Sequence, residues 1–417
     1  MLFFKIKEVR MLITEKEDLL NRLQTIEKIA NFVSNRKEAI LAEKPVDLFQ
    51  NTMSSIHNIN ITLFNSATIN HYQITDIDFS NADSLNVFVN QCQAWISFIR
   101  NIVETRYSQS TALDEQFLEL LDYVNYVDYD TILKQSKDTL HALQPDIIDI
   151  LNRHYQSWET MWGRLDTNNN CYDVLEDRIH TLIEHRDDFE WLYHRLGDYR
   201  SKLVLHNMLY NWLTFEPNLI LQMCEGNYDS YYDLDILQCD ENEVIVDLGA
   251  YNGDSAIDYI KNYQKYKRIY CYEITKSTVA LLTENLKDYT NIEIRNKGAG
   301  ATNDIMYVSS SEASSANTAT KEDNVGIPIE MVSIDEDISE PITLIKMDIE
   351  GAEQSALTGC RRHIIEEHPK LLICVYHNNE DIYKIPRMIT EMRDDYKLYL
   401  RSNGLQYGPS EIVLFAL

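Results

Sequence analysis

The sequence has 417 residues, of which 44% are hydrophobic and 25% are charged, an ordinary globular balance in a chain long enough for two or three domains. Its formal net charge is −28, and so acidic a surface would repel the phosphate backbone of nucleic acids and anionic membrane surfaces. The 7 cysteines are scattered and include no CxxC pair, which argues against a disulfide framework and against a zinc knuckle.

The chain starts with MLFFKIKEVRM, in which only a short apolar patch precedes Lys5. So short a patch is typical neither of a signal peptide nor of a membrane span. We therefore expect a cytoplasmic protein that does not insert into membranes and has no nucleic-acid partner.

Glycine and tryptophan divide the chain into regions of different character. All 12 glycines lie at or after Gly163, and all 5 tryptophans lie at or before Trp212. Glycine weakens helices and serves tight loops. Residues 1–200 are therefore predicted to be a mainly α-helical N-terminal region, residues 201–240 a helical lead-in, and residues 241–417 an α/β domain.

Two segments of the first region carry apolar residues at helical spacing. In TEKEDLLNRLQTIEKIANFV the apolar positions are Leu19, Leu23, Ile26, Ala30 and Val33. In SLNVFVNQCQAWISFIRNIV they are Leu85, Phe88, Cys92, Trp95, Ile99 and Ile102. Residues 57–80, between these segments, alternate only weakly, which is compatible with strands or with a loop.

From residue 243 the pattern changes to alternating strands and helices. The predicted strands are VIVDL, RIYCYE, IEIRNK, TLIKMD and KLLICVYH, with helical segments such as SAIDYIKNY and KSTVALLTENLKDY among them. The final KLYL and EIVLFAL resemble a closing hairpin. This order predicts a mostly parallel sheet with helices on both faces and an antiparallel hairpin at one edge.

The stretch VIVDLGAYNGDS is the first candidate binding loop. Its GxxxG spacing differs from the GxGxxG of dinucleotide folds and from a P-loop, and it fits S-adenosylmethionine instead. The glycines let the backbone lie against the methionine part, Asp247 can take the ammonium group, and N–H groups at the helix start can take the carboxylate. The cofactor-binding candidates here are Asp247, Gly249, Ala250, Gly253 and Ser255.

A second group of candidates follows the next two strands. Glu273 ends RIYCYE, where a carboxylate can accept hydrogen bonds from both ribose hydroxyls. Asn296, Lys297 and Gly298 follow the third strand, where adenine contacts would come from. The polar loop SSSEASSANTAT either folds over the cofactor or is mobile. The alternative interpretation is a generic nucleotide-fold loop with Glu273 as a solvated acid.

Residues 244–417 resemble the FkbM family of S-adenosylmethionine-dependent methyltransferases. The segments that carry the resemblance are VDLGAYNGDS, VSIDED, LIKMDIEGAEQSALTGCRRHI and HPKLLICVYHNNEDIYKIPRMI. The resemblance implies a Rossmann-like class I methyltransferase domain, and family members commonly O-methylate sugars in glycans or polyketide natural products. Asp247, Gly249, Gly253, Ser255 and Glu273 match the family's cofactor positions, whereas Tyr251 replaces a more usual asparagine.

An acidic cluster follows the fourth strand, where the methyl group would lie in this fold. Asp348 ends TLIKMD, Glu350 follows it, and His377 ends the next strand. Either Asp348 or His377 acts as general base, or these three residues, with Asn378 as an alternative to His377, hold Mg²⁺ or Mn²⁺ that acidifies the hydroxyl. We favour the metal-independent form. For Glu353 we favour a helix-start acid that meets the macrodipole.

These inferences predict a methyltransferase that O-methylates a sugar hydroxyl of a bacterial glycan or its precursor, with Asp348, His377 and Glu350 as catalytic residues. The alternatives are an N-methyltransferase acting on an amine of a glycan substituent and a non-catalytic scaffold in a glycan-assembly complex. The expected partner is a small-molecule or glycan acceptor. Residues 1–200 are expected to serve acceptor recognition or assembly, including homo-oligomers or contacts with glycan-assembly proteins.

Overall fold

The computed structural model describes residues 13–64, 78, 81–107, 111–216, 218–223, 231–308, 318–320, 326–403 and 410–417. The chain forms two compact units, residues 1–122 and residues 123–417. Within the described residues, no helix combines the length and the apolar character that crossing a membrane requires.

The described part of the first unit is helical, as the sequence predicts. Its elements are α1 (Ile13–Asn35), α2 (Lys37–Glu43), α3 (Val46–Phe64), α4 (Ala82–Tyr107) and most of α5 (Ala112–Tyr126). The predicted apolar faces of α1 and α4 are buried at all positions whose side chains are described, from Leu19 to Val33 and from Leu85 to Ile99. Helix α3 occupies the start of the weakly alternating stretch, and residues 65–77, 79 and 80 lie outside the described residues.

The second unit begins with seven helices and a small hairpin. They are α6 (Tyr129–His141), α7 (Pro145–Ser157), α8 (Glu159–Trp162), β1 (Leu165–Asp166), β2 (Cys171–Tyr172), α9 (Asp173–Glu184), α10 (Arg186–Arg195), α11 (Tyr199–Thr214) and α12 (Asn218–Met223). The composition change near residue 200 therefore does not coincide with the division between the compact units.

Direct contacts attach these helices to the α/β part of the same unit. The Trp162 indole N–H donates to the carbonyl oxygen of Tyr376 at 2.8 Å, and the Gly197 N–H donates to the carbonyl oxygen of Leu398 at 2.8 Å. The buried guanidinium of Arg401 pairs with Asp198 at 2.7 Å. These bonds explain why residues 123–200 belong to the same unit as the sheet.

A seven-stranded sheet forms the core of the second unit. Its strands are β3 (Val244–Leu248), β4 (Arg268–Tyr272), β5 (Ile292–Arg295), β10 (Leu344–Met347), β11 (Lys370–Cys374), β12 (Leu398–Ser402) and β13 (Ile412–Ala416). The helices that follow or precede them are α13 (Asp254–Tyr263), α14 (Lys276–Leu286), α15 (Ile334–Asp337), α16 (Glu353–Gly359), α17 (Arg361–Glu367) and α18 (Asp381–Met392).

The strand order is β12-β13-β11-β10-β3-β4-β5, and every pairing is parallel except the two made by β13. All residues of β3 and β10 are buried, as expected for central parallel strands covered on both faces. This confirms the predicted α/β fold with its antiparallel edge hairpin. The antiparallel strand β13 lies one position inside the edge, and β12 is the edge strand.

The sequence did not predict a second, four-stranded sheet. Its strands are β6 (Gly298–Ala299), β7 (Asp304–Val308), β8 (Ala319–Thr320) and β9 (Ile327–Val332), in the order β6-β9-β7-β8. Two of these strands have only two residues, which is too short for an alternating pattern to appear. This sheet adds one wall to the cavity described below.

The turn after β3 needs glycine because two strand ends approach each other there. Gly249 has φ +79°, and a Cβ at this position would lie 1.8 Å from the carbonyl oxygen of Asp348, directly after β10. Only glycine combines this backbone conformation with so close an approach. The glycine loop and the acidic cluster are therefore neighbours in the fold.

We expect Gly249→Ala to lower the free energy of unfolding by about 3 kcal/mol or more, since a backbone carbonyl cannot move aside as a flexible side chain can. Urea denaturation followed by circular dichroism measures this change. Gly300→Ala is the control, because the nearest atoms lie 3.8 Å from its added Cβ. Equal losses of stability in the two variants would contradict the contact described here.

Candidate active site

A cavity of about 420 Å³ opens at the carboxyl ends of β3, β4 and β10. Its lining residues come from the stretches 248–251, 272–274, 297–306, 318–319 and 348–355, and from Met331 of β9. Ligands of open α/β sheets bind at this edge. Its volume lies in the usual range for small-molecule and cofactor sites.

Asp247 lies beneath the glycine loop and is not among the residues that line the cavity. It is 1% exposed, and its carboxylate meets Lys346 Nζ at 3.1 Å and accepts a hydrogen bond from the Ser255 hydroxyl. The same Nζ donates to the carbonyl oxygen of Gly249 at 2.8 Å. Burial raises the pKa of Asp247, and Lys346 opposes that rise. Asp247, Lys346 and Ser255 thus support the loop from below.

Ala250 and Gly253 shape the same loop without lining the cavity. Ala250 is fully buried, and Gly253 has φ +90° at the start of α13. Tyr251, in contrast, lines the cavity and has φ +43°. Asparagine tolerates this left-handed region better than tyrosine does, which explains why asparagine suits the position in related loops.

Glu273 lines the cavity at the end of β4, as a binding role requires. The residue is only 7% exposed, and its carboxylate accepts a hydrogen bond from the Thr275 N–H at 2.8 Å. Burial raises the pKa of this carboxyl group, and nearby backbone N–H groups oppose the rise. A buried acid at a cavity wall is well suited to accept hydrogen bonds from a ligand's hydroxyl groups.

The three candidates after β5 take different positions. Lys297 and Gly298 line the cavity, although the Lys297 ammonium group is bound to Asp337 at 2.9 Å. The Asn296 amide donates to the carbonyl oxygens of Glu273 and Ile274, so this side chain braces the wall and does not line it. Of the loop 309–320, only residues 318–320 are described, and Thr318 and Ala319 line the cavity.

The structure brings Asp348, Glu350 and His377 together at the end of β10. His377 Nε2 lies 3.3 Å from Asp348 Oδ1 and 3.6 Å from Glu350 Oε2. One ligand atom from each residue lies within 4.8 Å of the others. The two acids line the cavity, whereas His377 is fully buried behind them. Asn378 does not join this group, since its amide is bound to Asp381 at 2.9 Å.

Sequence reasoning missed the contacts of Glu353. This residue starts α16, as a helix-start acid should, but it is fully buried. Its carboxylate accepts hydrogen bonds from the N–H groups of Ile349 at 2.9 Å and Gly351 at 3.1 Å. The same carboxylate lies 2.9 Å from His377 Nδ1. Glu353 therefore holds both the turn that carries Glu350 and the imidazole.

Tyr231 is a further residue of the site that no sequence signal indicated. Its hydroxyl donates to Asp348 Oδ2, although the two residues are 117 positions apart. Its ring also faces Lys346, whose Nζ lies 4.7 Å from the ring centroid. The lead-in before β3 thereby contributes directly to the acidic cluster.

The charges of this cluster shift its pKa values in opposite directions. Burial lowers the pKa of His377, but Glu353, Asp348 and Glu350 outweigh it and raise the value to about 9. Burial and the neighbouring carboxylates raise the pKa of Glu350 to about 7. Burial opposes ionisation of Asp348 as well, yet Lys346, His377 and the Tyr231 hydroxyl bring its pKa below the ordinary value.

Several solved structures are similar to parts of this chain. A crystal structure of methyltransferase FkbM from Methylobacillus flagellatus has a TM-score of 0.52 and 24% sequence identity, covering 70% of this chain and 78% of that one. An rRNA methylase from Streptococcus thermophilus has a TM-score of 0.29 and 14% identity over 42% of this chain and 87% of its own. Fibrillarin from Aeropyrum pernix, with natively bound S-adenosyl-L-methionine, has a TM-score of 0.28 and 14% identity over 44% and 70%. No curated protein matches the chain.

The first of these similarities, together with the strand order, identifies the fold as that of a class I methyltransferase. Residues 247–407 match the sequence model described as the methyltransferase FkbM domain. The match to an FkbM methyltransferase domain over residues 247–407 agrees with the resemblance expected from the sequence. The roles of the individual site residues stay predictions.

We expect Glu353→Gln to lower the free energy of unfolding by about 1–3 kcal/mol. The amide keeps only one acceptor oxygen for two backbone N–H groups, and one of these groups is left without its partner in a buried place. Urea denaturation gives the size of the effect. Glu366→Gln serves as the matched control, since that side chain is 63% exposed and should change stability by less than about 0.5 kcal/mol. If the two variants were equally stable, Glu353 would not hold the turn.

Proposed function

We propose that the chain is an S-adenosylmethionine-dependent methyltransferase that O-methylates a sugar hydroxyl of a bacterial glycan or its precursor. One observation carries this proposal: a single cavity has the buried acid Glu273 in one wall and Asp348 with Glu350 in another. Glu273 could accept hydrogen bonds from a ribose, and Asp348 with Glu350 could take up the proton that an acceptor group loses. The sugar as acceptor rests on the resemblance of the sequence segments to a family that commonly methylates sugars.

The residues present fit the cofactor. Glu273 would accept hydrogen bonds from the ribose hydroxyls, and the turn at Gly249 and Tyr251 would face the methionine part. Gly298 lets Met331 of β9 pack closely on this wall, because a Cβ there would lie 2.3 Å from Met331 Sδ. When bound, S-adenosylmethionine supplies an electrophilic methyl group on a sulfonium.

The chain's own contribution to the reaction is to orient the acceptor and to remove its proton. As the acceptor oxygen forms its bond to the methyl carbon and the carbon–sulfur bond breaks, the hydroxyl proton must pass to a base. Asp348 is better placed for this than His377, since it lines the cavity and the imidazole does not. Glu353 and Tyr231 would then act as positioning residues that hold His377 and Asp348.

The acidity of the cluster also favours a second candidate acceptor. An amine on a glycan substituent carries a positive charge near neutral pH, and Asp348 and Glu350 would attract it. N-methylation of such an amine is therefore the alternative. Two acceptors that differ only in carrying a hydroxyl or an amino group distinguish the two functions, because the rate of methyl transfer is measured for each.

We further propose that the helical unit of residues 1–122 serves acceptor recognition or assembly, in a cytoplasmic protein. No catalytic candidate lies in that unit, and its described core is made of apolar helix faces. Homo-oligomers or contacts with glycan-assembly proteins are the expected forms of assembly.

Glu273→Ala should weaken the binding of S-adenosylmethionine by about 1.5–3 kcal/mol, because two hydrogen bonds to a charged acceptor are lost. Calorimetry with S-adenosylmethionine and S-adenosylhomocysteine measures the affinity. The melting temperature without ligand is measured in parallel, because the Thr275 N–H loses its acceptor in this variant. Glu284→Ala, at a side chain that is 67% exposed, is the control. Unchanged affinity in Glu273→Ala would show that this acid only orders its own turn, through the Thr275 N–H, and does not bind the ribose.

Asp348→Asn and His377→Ala should each reduce turnover about 10²–10⁴-fold, the usual cost of losing general-base catalysis. Cofactor affinity should change less than tenfold, because both residues lie away from the ribose wall. Transfer of labelled methyl groups to a panel of sugars and nucleotide sugars provides the acceptor and then the rates. Near wild-type turnover in both variants would show that the cluster only orders the turn.

A further inference from the structure

The cluster at the end of β10 has more negative charge than its own cations balance. Among the described residues, the acids Asp247, Asp348, Glu350, Glu353 and Glu411 surround the two cationic side chains Lys346 and His377. Lys346 is already shared between Asp247 and the Gly249 carbonyl group. Buried charge of one sign is costly unless a partner neutralises it. A cation bound from solution would therefore stabilise the acids that face the cavity.

Several buried polar atoms of this cluster form no hydrogen bond of acceptable geometry within the described part of the chain. They include both imidazole nitrogens of His377 and Asp348 Oδ1. Of these, His377 Nε2 and Asp348 Oδ1 face each other at 3.3 Å. The His377 side chain is 1% exposed, so water does not satisfy it from the bulk. Buried polar atoms in native proteins nearly always have a partner, and an ion is one kind of partner.

The distances fit the coordination sphere of one divalent cation. With bonds of about 2.1 Å, adjacent ligand atoms of an octahedral ion lie about 3 Å apart and opposite ones about 4.2 Å. The His377–Asp348 and His377–Glu350 distances of 3.3 and 3.6 Å suit adjacent positions. The largest separation within the group, up to 4.8 Å, closes with a shift of a few tenths of an ångström at each ligand.

The surroundings also hold the ligands in place. Glu353, at 2.9 Å from His377 Nδ1, holds a proton on Nδ1, so a cation that displaces the Nε2 proton would bind at the nitrogen that faces Asp348 and Glu350. Glu350 is held at φ +56°, a conformation that a non-glycine residue adopts only when its surroundings require it. Both acids line the cavity, so an ion has a path of entry.

We propose that Asp348, Glu350 and His377 bind one divalent cation, with Glu353 as the residue that orients the imidazole. Two carboxylates with one imidazole suit Mn²⁺, which accepts both oxygen and nitrogen ligands. This replaces the metal-independent form that the sequence favoured. Its consequence for the reaction rests on the proposed function: an acceptor hydroxyl bound to the cation would lose its proton more readily.

Binding of Mn²⁺ to the full-length protein tests this proposal without cofactor or acceptor. The protein is treated with EDTA, freed of chelator and titrated with Mn²⁺, while electron paramagnetic resonance reports the unbound hexaaquo ion. We expect one strong site per chain. His377→Ala, Glu350→Gln and Glu353→Gln should each weaken it at least tenfold, as loss of a ligand or of its orienting carboxylate usually does. Glu366→Gln, an exposed acid outside the cluster, should leave it unchanged.

Two results would overturn the proposal. One is that the protein does not reduce the resonance signal of unbound Mn²⁺ even at millimolar concentration. The other is a strong Mn²⁺ site whose affinity is the same in Glu350→Gln. Should His377→Ala fail to fold, Glu350→Gln still decides, since its carboxylate lies at the cavity wall. The proposed function fails separately. If the protein bound Mn²⁺ but not S-adenosylmethionine, only the proposed methyl transfer would be rejected. If the EDTA-treated protein had no Mn²⁺ site and still transferred methyl groups at the full rate, only the proposed metal site would be rejected.

Discussion

The buried ion pair between Lys346 and Asp247 is the interaction on which the site depends. The two residues stand opposite each other on the paired central strands β10 and β3, and both side chains are 2% exposed. Lys346 also holds the carbonyl oxygen of Gly249, so one ammonium group joins the sheet to the turn above it. Removing one partner of such a pair leaves a buried charge alone and typically costs 3–5 kcal/mol. The pair thus helps the backbone hydrogen bonds of β3 and β10 to hold the strand ends where Gly249 approaches Asp348.

The electrostatic character of the cavity follows from how its basic residues are used. Asp337 accepts hydrogen bonds from the Tyr272 hydroxyl and from Lys297, and it pairs with Arg295. The cations Arg295 and Lys297 are thereby neutralised, whereas Glu273 and the β10 cluster face the cavity. The remaining field is negative, which suits a positively charged ligand such as a sulfonium and disfavours a phosphorylated one.

The sequence predicted those features whose signal is local. The apolar runs of β3 and β10, the glycine turn and the closing hairpin are each signalled by a few neighbouring residues, and each was found where it was expected. Asp247 shows the limit of this reasoning. Its spacing to Gly249 predicts a ligand contact, whereas nothing in the sequence indicated its partner in the folded chain, Lys346, 99 positions away. The same holds for Glu353 with His377 and for Tyr231 with Asp348, since no spacing rule connects residues that meet only in the folded sheet.

The hydrogen bond from Trp162 to the carbonyl oxygen of Tyr376 has a consequence for how such a protein can evolve. Tyr376 directly precedes His377, and the family match begins only at residue 247. A recombination event that replaced everything before residue 247 by another sequence would therefore keep every motif of the family. It would still remove Trp162, which holds the backbone next to His377, and Tyr231, which holds Asp348. The segment inherited as one piece should then be longer than the domain that the family model matches. Exchange of neighbouring domains should occur before α6 and not at β3.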